Sequence, residues 1–296
     1  GDKLLPAEVL RAIAILLALL AAVGLALGAQ LQNDSVHQRV NGTAINRLGV
    51  KQVLGLMKRP RWLIGTGFLF MGVVLQLAAL TLAPLIVVQP IGAVALVITS
   101  FLNARIYGVR LGPKTILAIM LTMAGIASFV VAASGVATDV EMSDEKLLQV
   151  LGVLALMLLL FGFLMATTGG TAKALNYVFG AGVLYGFVAT LAKVIIQRLI
   201  QGDYDVLTLS AGIALILATV LGGWFVQNAY ATGPPDLVIA ELTVIDLMVA
   251  VGIGIVILGE AAGASFQTIV TFSLSAIVAM VGVYLLEKVH PQTNEN

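Results

Sequence analysis

Four ionisable side chains fall inside long apolar stretches: Arg11, Lys193, Glu241 and Asp246. An ionised group in hydrocarbon costs at least about 2.5 kcal/mol, so each should turn toward a bundle interior or water, and each is a candidate for holding a proton, an ion or a charged solute. Glu241 and Asp246 can take and release a proton, whereas Lys193 can either meet an anion or snorkel its ammonium to the headgroups. Neutral polar residues accompany them, namely Gln30, Gln32, Gln76, Gln89, Gln227, Asn228 and Tyr185. Such side chains join helices by hydrogen bonds more often than they bind ligands. Other chemistry lacks its residues. There are no cysteines, and His37 and His290 both stand in polar flanks, so neither a thiolate nor a histidine cluster is available for a metal or a general base. A phosphate-cradling Gly-Lys-Ser or Gly-Lys-Thr loop is missing too. The sequence therefore predicts no enzyme, no cofactor and no use of ATP.

The elements that position these residues are membrane spans. Of the 296 residues, 60% are hydrophobic and only 10% charged, and the mean hydropathy is +1.06, a composition that places the chain in a bilayer. A net charge of +1 gives no field for nucleic acid. About 20 apolar residues cross a membrane as a helix, which marks about nine spans near 8–32, 61–82, 85–105, 115–135, 147–167, 174–199, 206–230, 236–258 and 265–286. The first is too long for a signal-peptide core and is expected to stay as a helix. Arg39, Arg47, Lys51, Lys58, Arg59 and Arg61 follow span one, and Arg105, Arg110 and Lys114 follow span three. That bias places both loops in the cytoplasm, the amino terminus outside and the carboxyl terminus inside, in the plasma (inner) membrane. The loop after span four is acidic, with Asp139, Glu141, Asp144 and Glu145. Residues 44–57, INRLGVKQVLGLMK, suit a short amphipathic helix on the inner surface or a plain polar linker.

The chain also contains itself twice. Gln76 to Val88 reads QLAALTLAPLIVV and Gln227 to Ile239 reads QNAYATGPPDLVI, with Pro84 and Pro235 standing 151 positions apart. The copies begin at spans two and seven, so they cross in opposite directions, as in the inverted repeats of many secondary transporters. The organisation expected is a first repeat over 1–135, a connector helix over 147–167 and a second repeat over 174–286. Pro84 and Pro235 can open spans three and eight, where proline is tolerated. Pro90 falls within a span and predicts a kink or hinge; Glu241 stands at the matching place of the second copy. From a rise of about 1.5 Å per residue, Gln30, Gln32, Gln227, Asn228 and Glu241 fall in an inner layer and Gln76, Gln89 and Lys193 in an outer one, with Tyr185 and Asp246 between. The same estimate argues against a direct Lys193–Glu241 pair. Glycines such as Gly182 and Gly186 are expected to serve helix packing.

Ala83 to Ala93, APLIVVQPIGA, resembles the third-span signature of the NIPA-type magnesium transporters, a branch of the drug/metabolite transporter superfamily, at Ala83, Pro84, Val88, Pro90, Gly92 and Ala93. A fainter likeness runs from about Trp62 to Ala133 and from Asn176 to Leu286; in the second copy Ala240 and Glu241 stand where a further proline would be expected. The resemblance implies an all-α integral membrane fold of two inverted repeats and a transporter, with divalent cations as one cargo; the superfamily includes monomers and homodimers. Three functions are expected in turn: a secondary transporter of a small organic or lipid-like solute, coupled to protons or another ion through Glu241 or Asp246; a magnesium pathway in which those acids hold a hydrated ion; and a non-transporting membrane assembly subunit.

Overall fold

A computed structural model describes residues 6–40, 50–106, 108, 110–167, 174–232 and 235–288. Eleven helices follow one another: α1 (Ala7–Val40), α2 (Val50–Leu56), α3 (Pro60–Leu82), α4 (Leu85–Ile91), α5 (Val94–Ile106), α6 (Pro113–Val136), α7 (Asp144–Thr167), α8 (Ala174–Gln201), α9 (Val206–Thr232), α10 (Pro235–Val256) and α11 (Phe266–Lys288). No strand occurs among the described residues. Eight of the spans formed are long and apolar enough to cross a membrane, and α10 adds a shorter apolar run, Leu242–Val256. The protein is an all-α integral membrane protein.

Two elements differ from expectation. The third span is broken rather than continuous. Pro90 cannot donate a backbone hydrogen bond, and just beyond it Gly92 and Ala93 make tighter turns, donating to the carbonyls of Gln89 and Pro90 at 3.1 Å each. The span is therefore two helices, α4 and α5. The first helix, in contrast, runs past residue 32 to Val40. Its polar continuation, Gln32 to Val40, holds neither glycine nor proline, so nothing local stops it, and Arg59 Nη1 fixes the extension by donating to Ser35 O at 3.0 Å. Of the amphipathic segment, residues 50–56 form α2, with Leu56 buried and Leu54 exposed; residues 44–49 lie outside the described residues.

Small residues let the helices approach. A Cβ on Gly28 would lie 2.6 Å from Gly65 O, which brings α1 against α3, and one on Gly186 would lie 2.6 Å from Val249 Cβ, which brings α8 against α10. The expected packing role of Gly182 and Gly186 is met at Ile245 and Val249. Packing partners come in matched sets: α1 with α3 and α8 with α9; α1 with α9 and α3 with α8; α6 with α11 and α4 with α10. Helix α7 rides at the edge against α8 and α9 and turns Leu156, Leu159 and Phe163 outward. An open groove of about 550 Å³ between α7 and the end of α10 shares no residue with the buried polar groups described next.

Candidate functional site

Everything polar in the bundle interior is organised around α4. Ala83 (φ −148°, ψ 156°) and Pro84 (φ −62°, ψ 157°) are extended, so α3 stops and a new helix starts at Leu85. All seven residues of α4 are buried. Four residues from its start, Gln89 Nε2 donates to Asp246 Oδ1 on α10 at 2.7 Å, while Gln76 Nε2 on α3 donates to Gln89 Oε1 at 3.0 Å. Tyr185 on α8 is close enough to interact electrostatically with Asp246, and its ring lies against Gly222 and Gly223 of α9. Among the described residues Asp246 has no ion-pair partner. The chain Gln76–Gln89–Asp246, with Tyr185 beside it, thus places one carboxylate and three neutral polar groups where α3, α4, α8 and α10 meet. A lone carboxylate in that setting can accept a proton or the cationic group of a solute. The bond to Gln89 is also the interhelical contact that a purely structural acid would use.

A second polar group is neutral. Gln227 Nε2 on α9 donates to Gln32 Oε1 on α1 at 3.1 Å; Trp62 Nε1 donates to Gln227 Oε1 at 3.2 Å, and Gln32 Nε2 to Thr66 Oγ1 at 2.9 Å. The structure therefore brings Gln32 and Gln227 together, as their shared layer requires. Gln30 donates from Nε2 to Asp34 Oδ1 at 3.3 Å. Asn228 Nδ2 donates within its own helix to Trp224 O at 2.9 Å. Asn33, buried one turn beyond Gln30, has neither side-chain atom hydrogen-bonded, and Gln30 Oε1 has no partner either. Buried amides of this kind call for water or a ligand.

Lys193 corrects an expectation. It does not snorkel. The side chain is 1% exposed, and Nζ donates to Leu80 O at 2.7 Å and Ala83 O at 3.1 Å while pairing with Asp139 Oδ1 at 2.7 Å. Lysine's alternative of reaching the headgroups loses here because the exposed carbonyls at the end of α3 offer acceptors deeper in. Arg11 is likewise employed structurally: its guanidinium donates to Ser134 O and, at 3.3 Å, to Ala137 O, filling the carbonyls at the end of α6. The Glu241 side chain and Pro234 lie outside the described residues, although Glu241 falls within the span of α10. Pro235 opens α10, as expected.

Sequence reasoning missed Glu260. Fully buried in the turn between α10 and α11, its carboxylate accepts from the backbone N–H of Leu85 (Oε2, 3.0 Å) and Ile86 (Oε1, 3.2 Å), the first two residues of α4. Burial pushes this carboxyl up to about 7, against the pull of the Leu85 N–H, Lys193 and the Ile86 N–H in the other direction. Glu260 escaped notice because it lies beyond the apolar run of span eight, where an acid looks solvated; the signal was the flanking glycine, Gly259, which adopts φ +74°. Arg198 was missed for the same reason, being near a span end. It is 1% exposed and ties three elements by donating to Thr208 Oγ1 (2.8 Å), Met142 O (3.1 Å), Asp144 Oδ1 (2.7 Å) and Asp205 Oδ2 (3.0 Å). The Thr208 N–H, with Arg198 adding to it, holds the Asp205 carboxyl below its ordinary range.

Fold and site together define a polytopic helical membrane protein with a half-buried acid at the junction of its helices. The chain is similar to an uncharacterized protein of Corynebacterium glutamicum, 24% identical over 285 residues that take in 93% of this chain and 95% of that one. No protein-family model matches the chain. No solved structure matches it.

Proposed function

We propose that this protein is an alternating-access secondary transporter of a small organic or lipid-like solute, driven by proton exchange at Asp246. The observation that carries the reading is the Gln76–Gln89–Asp246 chain: a carboxylate deep in the bundle whose described partner is a neutral amide. A residue that must be charged and neutral in turn is served by a partner that tolerates both states, because a glutamine can donate to a carboxylate or rotate to accept from a carboxylic acid. Support comes from the surroundings. The matched packing sets suit an inverted duplication, and on that reading Asp246 belongs to the seam between halves, where repeat transporters hold their cargo. On one side of Asp246 lies the ionic group of Lys193, Asp139 and Glu260, and on the other the neutral group of Gln32 and Gln227. The unpartnered Asn33 and Gln30 atoms suit a hydrated vestibule beyond the neutral group.

The resemblance to the NIPA-type transporters favours the same architecture and offers a divalent cation as the other cargo. Among the described residues no three acids or histidines converge, which leaves one carboxylate and amide oxygens for the ion. Purified protein in liposomes separates the cargoes: internal pH and magnesium dyes are read while a panel of amphiphilic solutes is applied to wild type, Asp246→Asn and Glu241→Gln. Solute-driven proton movement in wild type that is lost in Asp246→Asn is the expected result. Proton movement that survives in Asp246→Asn sinks the reading, and magnesium flux lost in both variants replaces the solute by the ion.

A further inference from the structure

Outside the Asp246 chain, one further buried acid is built into the bundle, and one short helix connects the two. The first turn of α4 is held by Glu260 through the N–H groups of Leu85 and Ile86, and the same helix presents Gln89 to Asp246. Four residues, about 6 Å along a helix axis, separate the two attachments. At both ends α4 is uncoupled from the continuous helices: Ala83 and Pro84 are extended on one side, and the Gly92–Ala93 turn interrupts it on the other. We infer that Glu260 is a second proton-binding site of this protein and that α4 is the lever through which its protonation releases Gln89 from Asp246 and opens the seal above it.

The charges around Glu260 make this a defined event. Lys193 faces it from α8, Asp139 from the segment after α6, and Lys146 Nζ reaches Leu258 O, two residues away, from α7 at 3.1 Å. α3 and α4 bring only backbone groups, and α10 brings Gly254, where a Cβ would lie 2.8 Å from Glu260 Oε1. The Arg11 guanidinium donates to Ala137 O, two residues before Asp139. With both acids ionised, the triad of Lys193, Asp139 and Glu260 carries one net negative charge, and the charged carboxylate is the form that holds two helix N–H groups well. A proton on Glu260 neutralises the triad, leaves Lys193 to Asp139, and replaces one strong acceptor by an O–H that no longer suits an N–H donor. Raised to about 7, Glu260 changes state in the physiological range. Asp139, with 41% of its side chain exposed, connects the buried pair to water and gives the proton its route. Because all of α4 is buried, its release is a switch between two packings rather than a gradual drift.

This device rests on the transporter reading for its purpose, but its test does not. The natural chain has no cysteine, so a single introduced thiol reports alone. Ala250, fully buried and one turn beyond Asp246 on the side of Glu260, becomes the reporter as Ala250→Cys; Tyr204→Cys, at a position 77% exposed, is the reference that cancels the effect of pH on thiol reactivity. Maleimide labelling of full-length protein in nanodiscs is followed from about pH 8 to about pH 6, a range that brackets the Glu260 transition. Normalised labelling of Ala250→Cys should rise by about tenfold as pH falls, following the protonated fraction. Adding Glu260→Gln should leave it high and flat, and adding Asp139→Asn should move the midpoint to lower pH, because an anion that favours protonation is gone. A flat profile with Glu260 intact overturns the inference, and so does a rise that Glu260→Gln leaves in place or a midpoint that Asp139→Asn does not move. Should Glu260→Gln not fold, the profile with Glu260 intact and its shift in Asp139→Asn still decide. Gating that follows pH in nanodiscs with no solute-driven proton movement in liposomes would leave the lever standing and remove the transport reading alone.

Discussion

The interior acid at position 246 is held by one hydrogen bond from one amide, and that economy can be measured. Gln89→Leu removes the donor and leaves both Asp246 and the Gln76 amide, each half-buried, without their partner, a loss of about 1 kcal/mol. Thermal unfolding in detergent should show that loss, and Gln89→Leu/Asp246→Asn should recover part of it, since a neutral amide costs less to leave unpaired than a carboxylate; equal unfolding temperatures for Gln89→Leu and wild type would show the bond to be idle. At this scale the sequence was readable wherever depth decided the answer. The estimate that placed Gln76 and Gln89 in one layer used only helix rise, and the two are found hydrogen-bonded; the Glu241 side chain lies outside the described residues. Sequence reading failed at Glu260 and Arg198, because hydropathy marks where an apolar run ends and carries no information about whether the turn beyond it folds back into the bundle.

Among elements, α4 is the one that hydropathy could not show. Leu85 to Ile106 is apolar enough on average to cross a membrane, so a single span was the natural reading, and only Pro90 warned of the break at Gly92 and Ala93. The proline's missing N–H would otherwise bond to Ile86 O, the same turn that Glu260 caps. Pro90→Ala restores that donor and favours one continuous helix through residue 92. We expect it to change unfolding by no more than about 1 kcal/mol, since an added hydrogen bond offsets the repacking, while blunting the pH response of labelling at Ala250→Cys. A response equal to that of the parent would mean that the break plays no part in the motion. The long helix α1 shows the converse: its polar end looked like a loop, and it stays helical because no residue there breaks it and because Arg59 and the buried Asn33, Ser35 and Val36 dock it.

At the scale of the whole molecule, the two polar groups that accompany the Asp246 chain differ in kind. One group is built of buried ions and the other of neutral amides, so a proton acts directly on only the first of them. Gln76 belongs to the Asp246 chain and Gln227 to the neutral group, and cysteines placed there one at a time in oriented vesicles should be labelled from opposite sides by an impermeant reagent, with the favoured side changing between about pH 6 and about pH 8 as Glu260 titrates. Labelling of both from one side in every condition would dismiss alternating access. Helix α1 adds a term of another kind. Its 34 residues measure about 51 Å along the axis, against a hydrocarbon core of about 30 Å, and Gln32, whose bond to Gln227 closes the neutral end, lies on the part of the helix farthest from its start. A helix that overshoots the bilayer answers a change of membrane thickness by tilting. On the transport reading, a change of lipid chain length is expected to reach the Gln32–Gln227 pair and a change of pH the Glu260 end, so that the membrane itself becomes an input weighed against the proton.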